Sequence, residues 1–121
     1  MKGLSTRAHG YLDYVTVVGF ALAPALLALE RVPKLICYGL AGIHLLLTLL
    51  TDFPLGVAKL VPSKAHALIE FIVSIVLVIL PWVLEFAENP VARNFFIAAG
   101  VTIFVVWLLT DYKSGLPDYQ E

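Results

Sequence analysis

Four stretches without Asp, Glu, Lys or Arg dominate the chain: Tyr14 to Leu29, Leu35 to Thr51, Phe71 to Leu84 and Asn94 to Thr110. Each holds roughly 14 to 17 residues, a little short of the ~20 that cross hydrocarbon as a helix. Each helix must therefore include polar residues at its ends. Four membrane spans are predicted, with Asp13 and Glu70 at or just inside the hydrocarbon boundary. The composition points the same way: 60% of the 121 residues are hydrophobic and 14% charged, and the mean hydropathy is +0.92. An ordinary soluble domain is excluded. The net charge of −1 offers no electrostatic basis for binding nucleic acid. The single cysteine, Cys37, excludes a disulfide framework and a thiolate zinc site.

The links are short: Glu30 to Lys34, Ala87 to Ala92, and Asp52 to Pro62 in the middle. Short links make successive helices antiparallel neighbours. The expected fold is all-α, an integral membrane four-helix up-and-down bundle forming one domain over residues 1–121. Lys2, Arg7, Lys59, Lys64 and Lys113 fall on the side of the termini and the central loop, against Arg31, Lys34 and Arg93 opposite. The excess places both termini in the cytoplasm, as in a multi-pass protein of a prokaryotic inner or cell membrane. Ala21-Leu22-Ala23 has the look of a signal-peptide cleavage site. The interrupting Asp13, the following Pro24 and a later counterpart of the segment argue against that reading.

That counterpart appears when the sequence is slid by 57 residues. Ala8-His9 then falls on Ala65-His66, Arg7 on Lys64, Asp13 on Glu70, Tyr14 on Phe71, Pro24 on Pro81 and Pro33 on Pro90. With two extra residues, Leu50-Thr51-Asp52-Phe53 falls on Leu109-Thr110-Asp111-Tyr112, and Gly56 on Gly115. A duplicated helical hairpin is implied, with repeats over approximately 5–56 and 62–115. Two spans per unit orient both copies alike, about an axis along the membrane normal.

Pro81-Trp82, late in the first helix of a two-helix repeat, resembles the SPW repeat of small bacterial and archaeal membrane proteins. Leu80 stands where that motif has Ser, and the first copy reads Ala23-Pro24-Ala25. The resemblance implies an integral membrane protein built of duplicated hairpins, and no activity.

Thr6 and Ser63 read as N-caps of the first and third helices. The i, i+4 spacing of His9 with Asp13 and of His66 with Glu70 stacks imidazole on carboxylate. Thr51-Asp52 and Thr110-Asp111 end the second and fourth helices on the same side. The expected cluster is His9, Asp13, Asp52, His66, Glu70 and Asp111. Asp52 and Asp111 face the negative end of a helix dipole and so call for partners. The positive end keeps His9 and His66 neutral, with a lone pair to offer. Such a set suits a divalent metal, zinc, iron or manganese. It equally suits a structural role, with the acids pairing to the histidines and Asp52 and Asp111 bridging to Lys64 and Arg7.

His44, at mid-span, stands eight residues before Asp52, about 12 Å of helix rise, and is expected outside the cluster. Pro24 and Pro81 deprive Phe20 and Leu77 of a backbone donor. Trp82, Tyr38, Trp107 and Tyr112 read as interfacial anchors. Gly39, Ala41 and Gly42, like Ala98, Ala99 and Gly100, permit close helix packing within the bundle or against other copies or membrane subunits. The leading functional expectation is a structural or accessory membrane subunit in contact with lipid. The alternatives are a metal-binding protein, with or without enzymatic activity, and a proton- or ion-conducting oligomer. No catalytic signature selects an enzyme class.

Overall fold

The computed structural model describes residues 3–112. Among them four helices appear: α1 (Thr6–Leu26), α2 (Arg31–Leu50), α3 (Ser63–Val83) and α4 (Pro90–Leu109). At about 1.5 Å per residue each is roughly 30 Å long, the thickness of hydrocarbon. The fold is all-α, and α2, α3 and α4 are long and apolar enough to cross a bilayer. Helix α1 has the same length but carries Arg7, His9 and Asp13 in its first turns.

The distribution of side chains is inverted relative to a protein in water. Large apolar groups such as Val15, Leu22, Ile43, Leu68, Ile72 and Val101 point outward, whereas His9, Asp13, Thr48, His66, Glu70 and Thr110 are buried. An apolar exterior around buried ionisable groups is what hydrocarbon solvent selects.

Helices pack closely within each hairpin, α1 on α2 and α3 on α4. Gly100 permits the second of these contacts: a Cβ there would lie 2.6 Å from the Ser74 carbonyl oxygen. Gly39 and Gly42 face open space instead, so only part of the small-residue expectation concerns packing within the chain. Between hairpins, backbones stay farther apart and side chains bridge the gap. Phe20 meets Phe95 edge to face, and Phe20, Leu77, Phe96 and Ile103 belong to one apolar core.

The two hairpins end alike. Leu29 N–H donates to Pro24 O and Phe86 N–H to Pro81 O, at 3.0 and 2.8 Å. Ala28 and Glu85, 57 positions apart, take left-handed φ values of 49° and 63°, closing each helix as a Schellman-like cap. Both prolines sit near the end of their helix, where a missing donor interrupts little. N-caps then fall at Glu30 and Asn89, 59 positions apart, so the two extra residues are Ala87 and Glu88 in the turn. At that spacing Pro33 stands level with Ala92, and both are fully buried.

At the opposite end the hairpins exchange backbone contacts. A two-residue strand β1 (Thr51–Asp52) pairs in parallel with β2 (Val61–Pro62), and Leu4 pairs in parallel with Thr110. Each chain segment leaving one hairpin is thus tied to the segment entering the other. Gly56 is required in the central loop, because a Cβ there would lie 1.9 Å from Thr51 O. Lys2, Lys113 and Gly115, used above for orientation and repeat boundaries, lie outside the described residues.

Candidate functional site

Helix α1 is capped by Ser5, whose hydroxyl accepts from Ala8 N–H at 3.1 Å. Helix α3 begins after Pro62 without a side-chain cap. Thr6 and Ser63 are therefore first helical residues, not caps, and both are buried. From these starts His9 and His66 enter the second turn, with Asp13 and Glu70 one turn deeper. All four are 2 or 3% exposed.

The imidazoles and carboxylates alternate around one centre. His9 Nε2 lies 2.8 Å from Glu70 Oε1 and 3.1 Å from Asp13 Oδ1. His66 Nε2 lies 2.9 Å from Glu70 Oε2 and 3.1 Å from Asp13 Oδ2. Each carboxylate thus turns one oxygen to each histidine, and one ligand atom from each of the four residues falls within 4.8 Å of the others.

The other ring nitrogens fix the protonation of these groups. Thr110 Oγ1 lies 2.6 Å from Val106 O and 2.8 Å from His9 Nδ1. A hydroxyl has one proton, and the carbonyl can only accept it. Toward His9 the hydroxyl therefore accepts, and Nδ1 carries the hydrogen. The same reasoning holds for Thr51, 2.6 Å from Leu47 O and 2.7 Å from His66 Nδ1. A neutral imidazole with a proton on Nδ1 has its lone pair on Nε2. Both Nε2 lone pairs then face carboxylate oxygens, an arrangement that repels unless positive charge stands between them.

Protons on Nε2 or a cation could supply that charge. The contacts are not alike: His66 Nε2 and Glu70 Oε2 lie in hydrogen-bond geometry at 2.9 Å, whereas His9 Nε2 and Asp13 Oδ2 are buried at contact distance from opposite groups without well-aimed hydrogen bonds. Ligands about 2.1 Å from an ion stand about 3.0 Å apart when they subtend a right angle. The four observed separations, 2.8 to 3.1 Å, accommodate that edge and equally the length of charge-assisted N–H···O hydrogen bonds. The donor set fits a divalent ion of borderline hardness, and the threonine partners at Nδ1 are the outer support that metal-bound histidines usually have.

Of the six residues expected in the cluster, the structure brings together His9, Asp13, His66 and Glu70. Asp52 is exposed and Asp111 half-buried, and neither belongs to the converging group among the described residues. The reason is local: α2 and α4 end at Thr51 and Thr110, which turn extended at ψ 140° and 133°. The threonine side chains face the histidines, and each following aspartate moves off that face.

His44, expected outside, reaches in. Its Nε2 lies 3.4 Å from Asp13 Oδ1 and 3.7 Å from Glu70 Oε2, buried and without an aligned partner. The acids it meets, Asp13 and Glu70, lie one helical turn deeper than His9 and His66, so counting from Asp52 sets His44 too far away. Seven residues before Thr51, His44 shares its helix face two turns on.

Tyr112, expected as an interfacial anchor, packs on the site with its ring centroid 5.4 Å from that of His9. Burial and the charges of Glu70 and Asp13 push its phenol pKa up, so it stays protonated. Trp82 and Tyr38 are exposed on the outer surface, while Trp107 stacks on Phe71 at 4.8 Å.

No known protein family, curated protein or solved structure matches the chain. Three apolar helices fit a membrane protein, and the described residues include a buried His/carboxylate cluster.

Proposed function

We propose that this is a metal-binding membrane protein in which His9, His66, Asp13 and Glu70 hold one divalent cation within the bilayer end of four spanning helices. The single observation that carries the reading is the hydrogen-bond chain that commits both Nδ1 protons to Thr110 and Thr51. It leaves both Nε2 atoms converging with two carboxylates, His66 Nε2 in hydrogen-bond geometry with Glu70 Oε2 and His9 Nε2 without an aligned partner. One divalent ion with two carboxylates and two neutral imidazoles is charge-neutral, which lowers the cost of burial. Zinc, manganese and iron suit the donors.

The matched caps, strand pairings and His–Thr contacts support the reading of the chain as two copies of one hairpin. The Pro81-Trp82 resemblance to SPW-repeat proteins and the cytoplasmic placement of both termini belong to the same proposal. A purely structural role for the cluster has one observation in its favour, since the cross-contacts His9–Glu70 and His66–Asp13 also fasten the hairpins together.

Elemental analysis of detergent-purified protein tests the proposal. The native chain is expected to carry about one ion, and His9→Gln/His66→Gln to carry none while keeping its helical spectrum and elution volume. Absence of metal from native protein incubated with zinc, manganese or ferrous iron overturns it, as does equal metal in the variant.

A further inference from the structure

Asp13 and Glu70 meet different neighbours from α2 and from α4. From α2, His44 brings Nε2 to 3.4 Å from Asp13 Oδ1 and 3.7 Å from Glu70 Oε2. The position 59 residues on, by the spacing that also relates Thr51 to Thr110, is Ile103 of α4. A branched alkyl group brings no polar atom to the carboxylates. Beside Ile103 there is instead a cavity of about 20 Å³, lined by Asp13 and Glu70 together with Thr16 and Val106.

That volume takes about one water molecule, which needs two to four polar partners to stay. The wall supplies acceptors. Ionised carboxylates only accept, and Thr16 Oγ1, which gives its proton to Leu12 O at 2.8 Å, is likewise left to accept. Asp13 is 3% exposed, and its Oδ2 is buried without an aligned donor. An occupant of this cavity must therefore have protons to give. A halide has none and meets two carboxylates of its own sign. Water has two, and keeps a lone pair for a cation.

The ligand count leaves a place for it. One atom from each of four residues converges, whereas manganese takes an octahedral set and non-haem iron centres keep open positions.

We infer that this cavity holds a water molecule as an additional ligand of the bound ion, oriented by Asp13, Glu70 and Thr16, so that the centre is open to a small proton-donating ligand beside Ile103. The inference rests on the metal reading above and adds to it a place, a size and a chemical class: a neutral molecule no larger than water or ammonia.

Manganese-loaded protein in oxygen-17 water, examined by electron–nuclear double resonance, tests it. Coupling to a water oxygen bound at the ion is expected in native protein. It should be lost in Ile103→His, which fills the cavity with the ring that α2 carries at the matched position, while manganese content stays unchanged. Ile103→Val makes the opposite change. One methyl smaller, it should let methanol displace the labelled water at a concentration at least about tenfold lower than native protein requires. That comparison decides if Ile103→His fails to retain manganese.

Manganese bound without oxygen-17 coupling in native protein, or coupling undiminished in Ile103→His, overturns the inference and leaves the metal reading standing. Equal methanol concentrations for native protein and Ile103→Val overturn the placement beside Ile103. Native protein that takes up no manganese overturns the inference, and one that takes up no zinc or ferrous iron either overturns the metal reading with it.

Discussion

The α1–α2 and α3–α4 hairpins agree at their ends and differ along their sides. Both close with a left-handed residue after a proline-containing last turn, and both send a threonine from the end of the second helix to a histidine of the other hairpin. Along the sides the first hairpin places His44 where the second has Ile103, and Gly39 and Gly42 of α2 face open space whereas Gly100 of α4 packs against α3. What is shared places the four cluster residues; what differs is which further side chain reaches them.

If the shared parts form one centre, their loss should be symmetric. Asp13→Asn and Glu70→Gln should each lower metal affinity by at least about 100-fold, roughly 3 kcal/mol, measured by competition with a chelator. A large effect of one acid and none of the other would break the equivalence of the hairpins. Thr51→Val and Thr110→Val should each cost about 10- to 100-fold, because a histidine that loses its outer partner loses its tautomer and orientation. The same titration reads both.

The packing contrast is sharper for glycines. Gly100→Leu should destabilise the protein by about 1–3 kcal/mol in thermal unfolding, since the added atoms meet Ser74 O and Val78. Gly42→Ala, facing open space, should be neutral or stabilise by up to about 1 kcal/mol. Smallest of all, Ala28→Gly and Glu85→Gly should each raise stability by about 0.5–1 kcal/mol by relieving left-handed φ values. A gain at one site alone would show that the two caps are not equivalent.

Much of this geometry was legible in the residues. Charge-free tracts located the helices, and i, i+4 spacing paired His9 with Asp13 and His66 with Glu70 before any fold was known. The recurring Thr-Asp pair is legible, but the sequence points to the aspartate as the site member, because a carboxylate at a helix C-terminus calls for a partner. Which of two adjacent side chains faces inward depends on where the helix gives way to extended backbone, and that is set by the pairing of Thr51 with Val61 and of Thr110 with Leu4.

His44 was misplaced for a related reason, since its distance was counted from Asp52 and not from the deeper acids. The offset of 59 is legible at Thr51 and Thr110, but where the two extra residues fall shows only in the turn at Ala87 and Glu88, between the left-handed Glu85 and the N-cap Asn89.

X-ray absorption at the metal edge of the zinc-loaded protein tests the centre most directly. Two imidazole nitrogens and carboxylate oxygens at about 2.0–2.2 Å are expected, with the imidazole scattering reduced to one ring in His9→Gln and in His66→Gln alike. A sphere of oxygen ligands alone, or one indifferent to both substitutions, would contradict the assignment.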